Sequence, residues 1–325
     1  MKPERPSIGI LVSNLGTPDA PTPAALKRYL REFLKDPRVI DLPRWKWIPL
    51  LELLILPRRS PKSAEAYGKV WTPEGSPLLS ISKRQRALLE EMLKVPVALG
   101  MRYGNPSIAT ALDELLKKGC GRLLVLPLYP QYAAATTAST FDALGDALKR
   151  LRVVPEIRTV CSYHDEPLYI GALARSIREV WEKDGAPKRL LLSFHGLPRR
   201  YVDLGDPYRG RCEETARLLA AELGFPCELA FQSRFGREEW LKPYTDETLT
   251  AWGRDKLESV DVVCPGFSAD CLETIEEIDQ QNREFFQHAG GGRFRYIPAL
   301  NDRRDHVAAL AAVARRNLAG WIQED

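Results

Sequence analysis

The apolar run at residues 190–194 stops abruptly at His195-Gly196-Leu197-Pro198. Four to eight apolar residues between turn signals predict a strand buried on both faces, as in a parallel sheet covered by helices. In open α/β sheets, ligand chemistry gathers just past the carboxyl ends of such strands. A histidine stands at that point here, one of four in 325 residues. A satisfied histidine closing a strand is the plain alternative. The Gly-Leu-Pro turn, Arg199-Arg200, Asp203, Gly205-Asp206-Pro207 and Tyr208 that follow instead predict a shaped loop over a pocket.

The same alternation runs through the chain. In the first half, strands are expected at 8–13, 95–101, 122–127 and 153–160, with helices at 23–35, 80–93, 108–117 and up to 151. Thr22 is the expected N-cap of the first helix. In the second half, strands at 189–194, 227–231, 261–264 and 294–297 alternate with helices at 168–183, 211–223, 270–288 and 303–322. The pattern predicts an α/β protein of two similar, doubly wound, Rossmann-like domains. Each has a parallel sheet of about four strands flanked by helices, and the active-site cleft lies between them. The division is expected at 1–158 and 159–325, with the last helix free to pack back on the first domain. Gly16, in the run Asn14-Leu15-Gly16-Thr17-Pro18, is expected to allow a tight turn out of the first strand. No GxGxxG accompanies it, so a dinucleotide site has little support.

Residues 42–56, LPRWKWIPLLELLIL, set two tryptophans and a run of leucines among basic residues. A buried helix and an exposed apolar lip that holds a greasy ligand or dips into a membrane surface both fit. Residues 60–78, SPKSAEAYGKVWTPEGSPL, read as a polar stretch before the next helix. No apolar stretch reaches the roughly 18 residues of a membrane span. No secretory leader is read at the amino terminus, and six scattered cysteines suit a reducing compartment. The expectation is cytoplasmic, with peripheral contact at the inner face of the plasma membrane open. A net charge of +4 suits an anionic ligand or an acidic surface and is too small to argue for nucleic acid.

A second constellation lies at 264–282, CPGFSADCLETIEEIDQQN. Asp270 followed by Glu273 fits a capping box. Glu273 and Glu277 sit one turn apart on one face, with Leu272, Ile275 and Ile278 on another. Spacing alone leaves two readings open, a capped surface helix or a carboxylate path for a hard cation.

Taken together, SFHGLP around His195, FSADCLETIEEID at 267–279, GMRY at 100–103, LYPQY at 128–132, GDPY at 205–208, QSRFG at 232–236 and WLKPYT at 240–245 resemble the ferrochelatase family. Those enzymes insert ferrous iron into a porphyrin. The resemblance covers nearly the whole chain and implies two chelatase-type α/β domains. It places the catalytic histidine on His195 and the catalytic glutamate on Glu273, with the same two residues meeting the metal. Arg102, Tyr103, Tyr129, Leu15 and Arg234 become the porphyrin-contacting candidates. The implied substrates are protoporphyrin IX and Fe2+, the product protohaem, and the protein a monomer or weak oligomer. Coproporphyrin or another metal, or a haem-binding protein without turnover, are the alternatives.

Two positions depart from the pattern. Many members carry a second histidine at what is here Cys271, and some an aromatic at what is here Leu15. Some members also hold a 2Fe-2S cluster, often through a carboxyl-terminal cysteine extension that is not expected here. Cys212, Cys227, Cys264 and Cys271 could still hold one, but their spacing matches no familiar cluster motif. No cofactor beyond the substrate iron is expected.

Overall fold

The computed structural model describes residues 7–236 and 238–321. The chain divides into two compact units: one of residues 1–129, 133–161 and 310–325, the other of residues 130–132 and 162–309.

The sheet of the first unit contains β1 (Ser7–Thr17), β2 (Val97–Gly104), β3 (Cys120–Pro127) and β4 (Glu156–Thr159), in the order β2-β1-β3-β4. All its pairings are parallel. Leu11, Ala98, Leu123 and Val125 meet Ile108, Ala111, Leu112 and Leu115 of the helix Ile108–Lys117 in one core. The second unit contains β5 (Arg189–His195), β6 (Cys227–Gln232), β7 (Ser259–Val263) and β8 (Arg293–Ile297), in the order β6-β5-β7-β8. These strands are parallel too. Its core joins Leu191, Ala230, Val260 and Val262 to Leu249, Trp252, Ile278 and Phe286. In each sheet the strand order reverses beside the first strand of the unit. Open α/β sheets form their ligand crevice at such a reversal, outside the carboxyl ends of the strands.

The first helix forms at its expected bounds, while several other elements shift. The helix Pro23–Lys35 starts at Thr22, whose hydroxyl accepts the Ala25 N–H at 3.4 Å. β1 does not turn at Gly16 but continues to Thr17, with Gly16 paired to Tyr103. Gly16 has φ +110°, and a Cβ there would lie 1.8 Å from the Tyr103 carbonyl oxygen. Close approach between strands, rather than a turn, therefore requires glycine. β4 is half the expected length.

The polar stretch after residue 56 is no loop: Leu56–Val70 is a helix, continuous with Arg44–Leu50 through a π-helical segment, Leu51–Ile55. Trp47, Leu51 and Leu56 are buried, and the Trp47 indole N–H donates to the Leu34 carbonyl at 2.7 Å. Trp45 and Leu53 are 75% and 80% exposed, with Leu42, Leu50 and Leu54 also exposed. Segment 42–56 thus buries one stripe and leaves a second apolar stripe in solvent. The last helix, Arg304–Asn317, is counted with the second unit up to Ala309 and with the first from Leu310. Trp321 stacks against Arg158 at 4.1 Å and donates to Glu156 at 3.1 Å.

Candidate active site

His195 ends β5, beside the reversal in strand order of its sheet. Leu190 to Phe194 behind it are fully buried, whereas His195 is half-buried. Its Nδ1–H donates to the Gly196 carbonyl at 2.7 Å. A carbonyl can only accept, so Nδ1 carries the hydrogen, and in the neutral ring the lone pair lies on Nε2. The next residues are tied down. Gly196 N–H donates to the Gln232 carbonyl at 2.8 Å, Arg199 N–H to Glu239 at 2.9 Å, and Leu241 N–H to Leu197 at 2.9 Å. The Tyr208 hydroxyl of the GDPY motif donates to the His195 carbonyl at 2.9 Å. A Cβ on Gly196 would meet the Gln232 carbonyl at 2.8 Å and the Trp240 ring at 3.0 Å, so the histidine loop packs this tightly only with glycine there. The Phe267 ring lies 6.5 Å from the imidazole, centre to centre.

Glu273 opens a π-helical segment, Glu273–Asn282, followed by the helix Arg283–His288. The capping box expected at Asp270 does not form. Asp270 accepts instead from the Thr274 and Tyr296 hydroxyls and from the Asn301 amide, at 2.9, 2.6 and 2.7 Å. A buried carboxylate engaged by three side chains is not available to cap a helix. The buried face also differs from a regular helix: Thr274, Glu276, Ile278 and Asn282 point inward, while Leu272 and Ile275 are only partly buried. Backbone bonds from i to i+5 widen the turn, and such segments recur at functional sites.

The π segment carries a residue whose part the sequence left open. Glu277 Oε1 accepts the Ser233 N–H at 2.7 Å, and Oε2 accepts the Ser233 hydroxyl and, at 3.3 Å, the Gln232 amide. Ser233 makes this contact with φ +66°, a left-handed conformation uncommon outside glycine. Burial pushes the Glu277 pKa up. The Ser233 hydrogen bonds and the His195 imidazole pull it down, and the Glu273 charge pushes it up again. His195, Glu273 and Glu277 therefore act on one another electrostatically. The i, i+4 spacing of the two glutamates was the available signal, and nothing in it revealed that Ser233 would hold the second one.

Burial, then the nearby Glu273 charge, holds the Cys271 thiol well above its ordinary pKa, and burial does the same for Cys264 and Cys212. Burial also raises Cys227, to about 12. Among the described residues no group of three or more His, Cys, Asp or Glu side chains is arranged to hold a metal ion.

The remaining candidates lie apart from this group in sequence. In the first unit, Arg102 on β2 donates through Nε to the Ser139 hydroxyl at 2.5 Å and pairs through Nη2 with the buried Asp36. Its guanidinium stacks on Tyr103, 4.4 Å from the ring centre. Tyr103 is fully buried, and its hydroxyl donates to Asp36 at 2.8 Å. Tyr103 therefore supports Arg102 from behind and presents no surface of its own. Leu15 is half-buried on β1. Tyr129, just beyond β3, has a buried hydroxyl whose pKa burial drives up. In the second unit, Arg234 is engaged by Asp246 and Glu247, both at 2.9 Å, and stacks on Tyr244 at 4.0 Å.

Comparison with known proteins adds three findings. A family model described as Ferrochelatase matches residues 7–318. The ferrochelatase of Hydrogenovibrio crunogenus is 55% identical, over 98% of this chain and 88% of its own. That of Yersinia enterocolitica is 53% identical, over 96% of this chain and 98% of its own. Among solved structures, SirB from Bacillus subtilis, determined with Fe3+, superposes with a TM-score of 0.56 at 15% identity, covering 97% of each chain. CbiX, described as the terminal enzyme for biosynthesis of siroheme in denitrifying bacteria, gives a TM-score of 0.50. These two establish a shared chelatase fold.

Proposed function

The chain belongs to the ferrochelatase family, and on that premise we propose that it inserts Fe2+ into protoporphyrin IX to give protohaem. The observation that carries the assignment to residues is the His195 tautomer, with Nδ1–H committed to the Gly196 carbonyl and the Nε2 lone pair left to act as a base. Metallation removes two pyrrole N–H protons and delivers one Fe2+, with no change in iron oxidation state. His195 takes a proton from the macrocycle at Nε2. Glu273 meets the incoming ion, and Glu277, held by Ser233 and sensitive to His195, carries protons or cations along the π segment. Open, partial ligation suits a metal that is to be handed on rather than kept. Arg102, braced by Asp36 and Ser139, is the best-supported contact to the macrocycle among the residues of the first unit. Iron is a substrate on this reading, and no resident cofactor takes part.

The exposed Trp45 and Leu53 among basic residues support peripheral contact with a membrane surface. No helix among the described residues is long and apolar enough to cross one.

The test is anaerobic turnover with Fe2+, offering protoporphyrin and coproporphyrin side by side, with Zn2+ insertion as a control for iron oxidation. Wild type should metallate protoporphyrin. His195→Ala should lose at least about a thousandfold in turnover while keeping porphyrin affinity. Preference for coproporphyrin would transfer the same chemistry to another substrate, and porphyrin binding without insertion would end the catalytic reading.

A further inference from the structure

Gln232 touches both halves of the candidate active site. On β6 it lies directly opposite His195 of β5 in the parallel ladder, and its carbonyl accepts the Gly196 N–H at 2.8 Å. Its side chain points the other way in function. Nε2 donates to the Glu273 carbonyl at 2.8 Å and to the Glu277 carboxylate at 3.3 Å. Oε1 accepts from the Ser193 hydroxyl at 2.8 Å and lies 3.6 Å from the Cys264 sulfur. Ser193 sits two residues before His195 on the same strand and shares a hydrogen bond with Thr245 at 2.8 Å. Gln232 itself is buried.

A primary amide has two N–H donors and one oxygen with two lone pairs. Here all four directions are taken, so the amide has no alternative orientation that keeps its partners. One of the two donor bonds goes to a backbone carbonyl, the first of the π segment. That bond holds the segment whatever the charge on its carboxylates. We infer that Gln232 is a positioning residue for metal insertion, setting how the acidic π segment faces the imidazole. The inference rests on reading His195 and Glu273 as the catalytic pair. No shorter or apolar side chain does this work. Asparagine lacks the reach by one methylene, leucine has neither donor nor acceptor, and glutamate would set a second carboxylate against Glu277.

Groups that orient metal-meeting residues typically change affinity or activity by ten- to a hundredfold when removed, and a displacement of about 1 Å at a reacting group costs about a hundredfold. The test compares Gln232→Leu and Ser193→Ala with wild type in Fe2+ insertion, reading kcat, the KM for metal, and porphyrin affinity from fluorescence quenching. Gln232→Leu should lower kcat about a hundredfold and raise the metal KM at least tenfold, with porphyrin affinity within about twofold of wild type. Ser193→Ala keeps the amide and loses one anchor, so it should show the same split in smaller form, with kcat about tenfold lower and the metal KM about threefold higher. It also decides the matter if Gln232→Leu fails to fold. Wild-type kcat and metal KM in either folded variant would overturn the inference. An equal weakening toward metal and porphyrin would overturn it too, as general loosening of the unit. His195→Ala and Glu273→Gln are run alongside. If both keep wild-type turnover, the catalytic assignment falls and the inference with it; if both fall while Gln232→Leu does not, only the inference fails.

Discussion

Cys271 occupies the position where many ferrochelatases carry a second histidine, and its surroundings say how it behaves. Burial and the neighbouring Glu273 hold its thiol well above its ordinary pKa, so in the metal-free protein it stays protonated at neutral pH and does not replace a second imidazole as a base. Its loss should matter little. Cys271→Ser is expected to keep turnover within about threefold of wild type. Glu277→Gln removes a charge but keeps the shape, and should cost about a hundredfold in kcat, the lower range for an acid–base group. Both are read in the same anaerobic assay. A severe loss in Cys271→Ser with an unimpaired Glu277→Gln would reverse the two roles. His195 was visible in the sequence because it and a turn signal ended a largely apolar run. Glu277 was visible only as a spacing. What singles it out is Ser233 in its left-handed conformation, and no local pattern encodes a contact across 44 residues.

Elements were readable where one periodicity dominated. The helix Pro23–Lys35 places Leu26, Leu30 and Leu34 on its buried face and has a hydroxyl N-cap, and its bounds follow from those two facts. The helix Leu56–Val70 escaped notice because its buried stripe, Leu56, Ser60, Ala64, Tyr67 and Val70, has the correct spacing but small or polar members, with prolines between. The π segment at Glu273–Asn282 escaped for a different reason: its register depends on Gln232 and Asp270 contacts made by distant strands. Segment 42–56 reads both ways because both are true, one stripe buried and one exposed. Its place is secured by Glu52, which Arg31 and Lys35 grip at 2.9 Å each and hold at about 2, chiefly through the Arg31 hydrogen bond. That grip persists through any physiological pH and ties the segment to the helix Pro23–Lys35. If the exposed stripe meets a membrane, Trp45→Ser together with Leu53→Ser should weaken cosedimentation with anionic vesicles at least about tenfold, leaving insertion into detergent-dispersed porphyrin unchanged. Equal sedimentation of variant and wild type would dismiss the membrane contact.

At the scale of the molecule, the strand orders β2-β1-β3-β4 and β6-β5-β7-β8 repeat one winding without repeating its sequence, as the alternation of apolar runs and helical patterns implied. Stability against acid belongs to this scale, because it is a property of the whole folded unit and depends on titratable groups buried in its core. His306 is fully buried in the last helix, and its Nδ1–H donates to the Asn301 carbonyl at 2.8 Å. Among the described residues its Nε2 has no hydrogen-bond partner. Burial pushes its pKa down to about 4, against about 6.5 for an exposed histidine. Between those values the unfolded chain binds a proton that the folded chain refuses. Stability from this group is therefore complete above about pH 6.5, falls as the pH drops toward 4, and changes no further below. The loss across that window is on the order of 3 kcal/mol, a large share of what a domain usually has. Urea unfolding of the wild type at stepped pH should show the midpoint falling between pH 6.5 and 4. In His306→Asn, whose amide can still donate toward the Asn301 carbonyl, that part of the fall should disappear, even if the variant is less stable at pH 7. A pH profile parallel to wild type would show that acid sensitivity lies with the carboxylates instead.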